Sequence, residues 1–235
     1  MPALTASEML ELWDRGADCH PLDRSVLLAA AARPELAPDA VADLPLGAVT
    51  DSQLAVRIET FGPRLTGYVD CVRCGERLEL ALDAAAILAS TKARARSREI
   101  EVAGRRLRGP CLRDLAAVAG EADPHRGARR LAELCTVTGG GDRDLADDEL
   151  AAIETAIEDL EPHAQIAIRA ACVACGEETV ADLDVAALVW EEVAACAQRL
   201  LGEVHRLALA YGWSEAEILA LSPARRASYL ARVGS

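Results

Sequence analysis

The sequence predicts a mixed α/β (α+β) fold. A duplicated β-hairpin with CxxC turns forms its core, helices pack around that core, and a helical C-terminal arm extends outward. Three observations carry this expectation. Of the 235 residues 51% are hydrophobic but only 3% are aromatic, and a set dominated by alanine and leucine favours helices around an aliphatic core. Residues 71–88, CVRCGERLELALDAAAIL, recur at a constant offset of 101 as residues 172–189, CVACGEETVADLDVAALV, with nine identities in eighteen positions. Self-similarity of that strength marks an internal duplication. Lastly, Val189, Val193, Cys196, Leu200, Val204, Leu207 and Tyr211 follow one another at spacings of three or four, the apolar stripe of a single long helix.

Local signals set the elements in order. Thr5 and Glu8 form a capping-box pattern ahead of a short helix that ends at Gly16. Residues 22–33 read as a second helix stopped by Pro34, and the proline-punctuated segment that follows reads as a connection. Residues 54–61 (LAVRIETF) and 65–70 alternate as strands would around Gly62-Pro63. Each half of the repeat then brings in a strand, turns through CxxCGE, leaves as a second strand and enters a helix at Leu-Asp. Asp83 and Asp184 are the expected N-caps of those helices. Between the halves, residues 98–108 suggest a hairpin or a strand, followed by helices near 111–119 and 126–135 and, after the loop TGGGDRD, 147–160. Gly212 ends the long helix, Ser214 and Glu217 form a second capping box, and Ser222-Pro223 opens a last helix through Tyr229.

Charge narrows the choice of partners. The formal net charge is −13, so the chain as a whole repels a phosphate backbone and nucleic acid is a disfavoured partner. The balance is uneven, however. Residues 92–113 carry eight basic side chains (Lys92, Arg94, Arg96, Arg98, Arg105, Arg106, Arg108 and Arg113) against Glu99 and Glu101, while residues 142–161 carry nine acids against Arg143. Two solvated faces explain this distribution, and a basic face for an acidic partner is the sharper alternative. No stretch approaches the apolar length of a membrane span, and the N-terminus lacks the pattern of a secretion signal. The expected location is the cytoplasm, where paired thiols point to metal or redox chemistry before structural disulfides.

A CxxC turn sets two thiolates within reach of one cation, and tetrahedral zinc needs four. Cys71, Cys74, Cys172 and Cys175 are therefore the expected ligands of one structural Zn²⁺. The alternatives are a metal-free ribbon held by packing and a redox dithiol. The redox reading lacks the helix N-terminus that lowers a catalytic thiol's pKa, because each CxxC runs into Gly-Glu and a strand. Cys19, Cys111, Cys135 and Cys196 are isolated and read as buried structural thiols. His20, His125, His163 and His205 show no partner pattern, and no nucleophile elbow, HExxH, phosphate loop or dinucleotide fingerprint is present. Gly139-Gly140-Gly141 precedes an acidic run and reads as a flexible loop. Nothing in these motifs calls for an enzyme.

Two longer stretches carry a family resemblance. GEVHRLALAYGWSEAEILALSPARRASYL (202–230) joins a long helix, a Tyr-Gly-Trp junction and an Arg-Arg…Tyr-Leu helix, and DLPLGAVTDSQLAVRIETFGPRLTGYVDCVRCGERLEL (43–80) leads into the first cysteine pair. Together they resemble the small baseplate hub or hub-assembly proteins of contractile phage tails and of phage-tail-like contractile injection systems. The family often has proline after the first cysteine, where this chain has Val72 and Val173. The resemblance implies a chaperone-like assembly protein or minor component whose partner is a baseplate or hub protein, and it brings no catalytic residues.

The expected division, within one folding unit, is a helical segment 1–53, a first ribbon half 54–88, a mostly helical insert 89–163, a second ribbon half 164–184 and a helical arm 185–235. On the arm, Trp213, Leu219, Arg225, Arg226 and Tyr229 are the expected partner-binding residues, with packing against the chain's own core as the alternative. A zinc-ribbon protein that assists nucleic-acid transactions through the 92–113 face is the second functional expectation.

Overall fold

The N-terminal half is built from helices whose ends follow local chemistry. α1 (Ala6–Gly16) starts at the Thr5–Glu8 capping box, with the Glu8 carboxylate accepting from the Thr5 N–H at 2.8 Å. α2 (Pro21–Ala32) has proline at its first position and takes the His20 imidazole as its cap. The proline-rich connection contains one further turn, α3 (Pro38–Ala42). The computed structural model describes residues 3–92, 99–139 and 145–233. Lys92's side chain, Arg94, Arg96, Arg98, Arg143 and the Gly140-Gly141 part of the glycine loop lie outside the described residues.

α4 (Leu46–Phe61) corrects the expectation of a strand over residues 54–61. The alternation in LAVRIETF is real. But the helix is buried on several sides, through Val49, Gln53, Leu54, Val56 and Arg57, so no clean amphipathic period survives in the sequence. Its cap is equally non-local. Pro45 offers no side-chain cap, and the Gly47 N–H instead donates to the Glu161 carboxylate at 3.1 Å, from 114 residues away. That carboxylate is packed so closely that a Cβ at Gly47 or Gly109 would fall within 2.6 Å of it.

β1 (Arg64–Asp70) and β2 (Arg77–Asp83) form the first hairpin and lead into α5 (Ala84–Lys92). The insert has its own small sheet, in which β3 (Glu99–Val102) and β4 (Arg105–Arg108) pair as expected. After α6 (Leu112–Val118) and α7 (Pro124–Cys135), a third strand, β5 (Thr136–Gly139), adds to β4. α8 (Asp147–Leu160) closes this unit, its Leu150 and Ile153 clustering with Leu107 and Ala132. β6 (Ala167–Ala171) and β7 (Glu178–Asp182) form the last hairpin and feed α9 (Val185–Tyr211), whose 27 residues span about 40 Å.

α9 organises the main core and is no free arm. Val185, Val189, Trp190, Val193, Ala197 and Leu200 pack with Leu10, Leu28 and Leu54 from the N-terminal helices. Gly16 is needed for this packing, since a Cβ there would lie 2.4 Å from the Trp190 ring. Arg24 sits over the Trp190 ring at 4.8 Å from its centroid, a cation–π contact. Arg57, itself buried, grips the Glu192 carboxylate with two N–H groups at 3.1 and 2.9 Å. The chain reverses at Gly212, in left-handed conformation, and α10 (Glu215–Leu219) and α11 (Pro223–Val233) fold back on α9.

This reversal decides where the five expected partner-binding residues lie. Leu219 packs against the main core. Arg226 is buried and bonds Glu203 at 2.9 Å and the Leu221 carbonyl at 2.7 Å. Trp213 stacks on Tyr211 at 4.7 Å and meets Tyr229 edge-on at 4.8 Å, both rings half-buried. Arg225 alone of the five is exposed. Leu209, 75% exposed, and Tyr211 are likewise exposed.

A buried ion pair is costly to break, because the surviving charge keeps its desolvation penalty. Arg226→Ala should therefore lower stability by about 3 kcal/mol, whereas Arg225→Ala should stay within about 0.5 kcal/mol of wild type. Urea unfolding of the two variants measures the difference.

Candidate metal centre

The two hairpins share one register. Asp70 pairs with Arg77, and Ala171 with Glu178; Leu65 pairs with Leu82, and Leu183 donates to the Ile166 carbonyl at the matching position. Each turn is closed by the same bonds. Cys71 N–H reaches the Glu76 carbonyl at 2.8 Å and Gly75 N–H the Cys71 carbonyl at 2.9 Å, and Cys172–Glu177 and Gly176–Cys172 repeat both distances. Gly75 and Gly176 hold φ of 72° and 74°, where a Cβ would be strained. That requirement accounts for glycine behind each second cysteine.

The turns meet. The four Sγ atoms of Cys71, Cys74, Cys172 and Cys175 all lie within 4.8 Å of one another. The two cross-hairpin separations are 3.7 Å for Cys71–Cys175 and 3.6 Å for Cys74–Cys172. A tetrahedral cation bound by thiolates at roughly 2.3 Å requires edges of about 3.8 Å; the two cross-hairpin separations match that edge, and the cluster could hold a metal ion. Cys71 and Cys172 are buried, with Val69, Leu78 and Ala170 packed around them. Across the join, the Val72 N–H donates to the buried Thr179 hydroxyl at 3.4 Å, and Arg73 pairs at the surface with Glu177 at 3.7 Å.

The backbone prepares one thiolate. N–H groups of Cys74 and Arg73 aim at Cys71 and pull its thiol down to about 6. Cys175 also receives a backbone N–H, from Glu177, but burial and the neighbouring sulfurs outweigh it and push the thiol up to about 12. Cys74 is raised for the same reasons, against the Glu76 N–H. Four thiols this close cannot all ionise without a cation between them, so loading a metal must release protons. With all four positions taken by sulfur, such a centre has no open site for substrate.

The remaining expectations divide. Cys111 and Cys135 are buried thiols; burial raises both, Cys135 to about 12, which leaves them inert. Cys19 and Cys196 are only half-buried, with Cys19 donating to the Arg15 carbonyl at 3.1 Å. Asp83 and Asp184 cap their helices, accepting from Ala85 and Ala187, each at 2.9 Å. The described part of the basic segment is committed internally. Arg105 is buried, Arg106 pairs with Glu99 at 3.1 Å, and Arg113 pairs with Asp43 at 2.7 Å. Arg108 holds both Asp114 oxygens, at 2.6 and 3.0 Å; burial works against the Asp114 charge, but Arg108 and the Cys111 N–H keep its carboxyl below the usual range.

Sequence reading passed over one constellation. His163 is buried and bonds Asp51 through Nδ1, while its Nε2 lies 3.1 Å from the Ser90 hydroxyl. Local pattern carries no sign of it, because the three residues are at least 39 positions apart. Among the described residues no helix is long and apolar enough to cross a membrane. Comparison with known proteins returns no matching family model, curated protein or solved structure.

Cobalt(II) tests the centre directly. The metal-free protein should bind one equivalent, develop the intense visible bands of a tetrahedral thiolate complex and release protons as it does so. Cys74→Ser should cost more than the roughly 100-fold affinity loss typical of removing an outer-shell partner.

Proposed function

We propose that this chain is a zinc-held structural or assembly protein, with no catalysis at its metal centre. The observation that carries the reading is the convergence of four cysteine sulfurs from two turns separated by the 97 residues Gly75–Ala171. Four thiolates in tetrahedral array favour zinc, which has no redox chemistry of its own. In this reading the two hairpins are halves of one zinc ribbon. The ion closes a long loop, where a cross-link removes much unfolded-state entropy, and holds the insert β3–α8 against the α-helical core.

The partner is inferred from the resemblance of residues 43–80 and 202–230 to hub and baseplate assembly proteins of contractile tails. On that reading the exposed end of the reversal, with Leu209, Tyr211, Arg225 and the accessible edges of Trp213 and Tyr229, meets a baseplate or hub protein in the cytoplasm. Aromatic and arginine side chains are the usual anchors of such contacts. The nucleic-acid alternative has less support, since the described arginines of the basic segment are in internal pairs or buried. Charge reversal at Arg105 would probe folding instead of binding.

Native mass spectrometry of the protein isolated from its host should find one zinc per chain and a co-purifying tail or baseplate protein. A metal-free chain would remove the zinc reading, and bound nucleic acid would replace the assembly reading. Chelation should leave the helical circular dichroism of α1, α2, α4 and α9 largely intact while the hairpin amides lose hydrogen-exchange protection, because the main core is built without Cys71, Cys74, Cys172 and Cys175.

A further inference from the structure

We propose that Ser90 is an activated nucleophile, served by His163 and Asp51, in a site for short aliphatic carboxylic esters that is separate from the cysteine centre. The three residues come from α4, the last turns of α5 and the turn before β6, and their order in space is that of an acid–base relay. The Asp51 carboxylate accepts from His163 Nδ1. In the tautomer that donates its Nδ1–H to Asp51, Nε2 carries a lone pair, and Ser90 Oγ lies 3.1 Å from it.

Burial is distributed as such a relay requires. The His163 side chain is 6% exposed and Asp51's 29%, while Ser90 is an exposed residue. The imidazole is thus fixed in a low-dielectric setting and the hydroxyl is open to a reactant. Ser90 Oγ also lies 2.7 Å from the Ile87 carbonyl. Its one hydrogen serves either acceptor, and the rotor directed at Nε2 is the reactive one. Ser90 and His163 both face a cavity of about 460 Å³ whose apolar walls include Ile87, Pro162 and Ile166. Those walls suit a small aliphatic acyl group, and Gln165, which also lines the cavity, is the residue whose amide is assigned to a developing oxyanion.

The chemistry balances without a cofactor. Ser90 Oγ attacks the ester carbonyl carbon as its proton passes to His163 Nε2. The ester C–O bond breaks and the leaving alkoxide takes that proton, giving an alcohol and an acyl-Ser90. Water, deprotonated by the same nitrogen, then cleaves the acyl-serine to the carboxylic acid and restores the hydroxyl.

A fluorophosphonate probe on the full-length, zinc-loaded protein tests this, with peptide mass spectrometry as readout. Ser90 should be modified at least 100-fold faster than the exposed Ser214, Ser222 and Ser228 of the same chain, and His163→Gln and Asp51→Asn should each slow that labelling by about 100-fold or more. Ser90→Ala, a change at an exposed position, should abolish turnover of p-nitrophenyl butyrate with the circular dichroism unchanged. Labelling of Ser90 no faster than the other three serines overturns the proposal, whatever the folding of the His163 variant. So does full ester turnover in Ser90→Ala.

Discussion

The packing of α4 against α9, locked by buried Arg57 on Glu192, sets where both cysteine hairpins begin. α4 runs directly into β1 through Gly62-Pro63, and α9 follows β7 after two residues. Once Leu54 and Ile58 pack with Val185, Val189 and Val193, the bases of the two hairpins are neighbours. Equal strand registers then carry their turns to the same height, and the sulfurs meet. The cysteine cluster is thus the far end of a helix–helix contact, and its dimensions follow from two copies of one hairpin arranged on a shared core.

Polar and charged pairs inside this core act as locks, most of them between distant segments. Arg57–Glu192, Arg226–Glu203, Arg108–Asp114 and His163–Asp51 each include at least one buried residue, and all but Arg108–Asp114 span more than twenty positions. Such pairs add little net stability over well-packed apolar groups, but an unpaired member is costly. They therefore penalise misplaced helices more than they strengthen the native state. In a chain whose apolar side chains are mostly alanine, leucine and valine, with only 3% aromatics to key the core, that penalty helps to select one packing. The Glu161 carboxylate works similarly, since Gly47 and Gly109 leave room for it at the N-terminus of α4 and almost nothing larger would fit.

Sequence reading succeeded where the deciding interaction is local. Capping boxes at Thr5 and Ser214, aspartates at 83 and 184, and the αL glycine at 212 all act within a few residues, so the helix ends they mark are found where expected. It failed where the partner is remote. Residues 54–61 alternate like a strand, but neighbours on several sides make them a buried helix. Arg226 looks like surface charge until Glu203, 23 positions earlier, is folded against it. β5 is too short and too polar to announce itself without β4 beside it.

For this protein, the sequence by itself determined the two CxxC turns, their common register, the glycines that permit them and the helices that follow, because each depends on backbone conformation over five or six residues. Only the tertiary structure decided that the turns face one another, that α9 is a core helix with its tail folded back, and that Asp51, His163 and Ser90 touch. Those outcomes depend on which apolar faces exclude water together, a property of surfaces that no single segment carries.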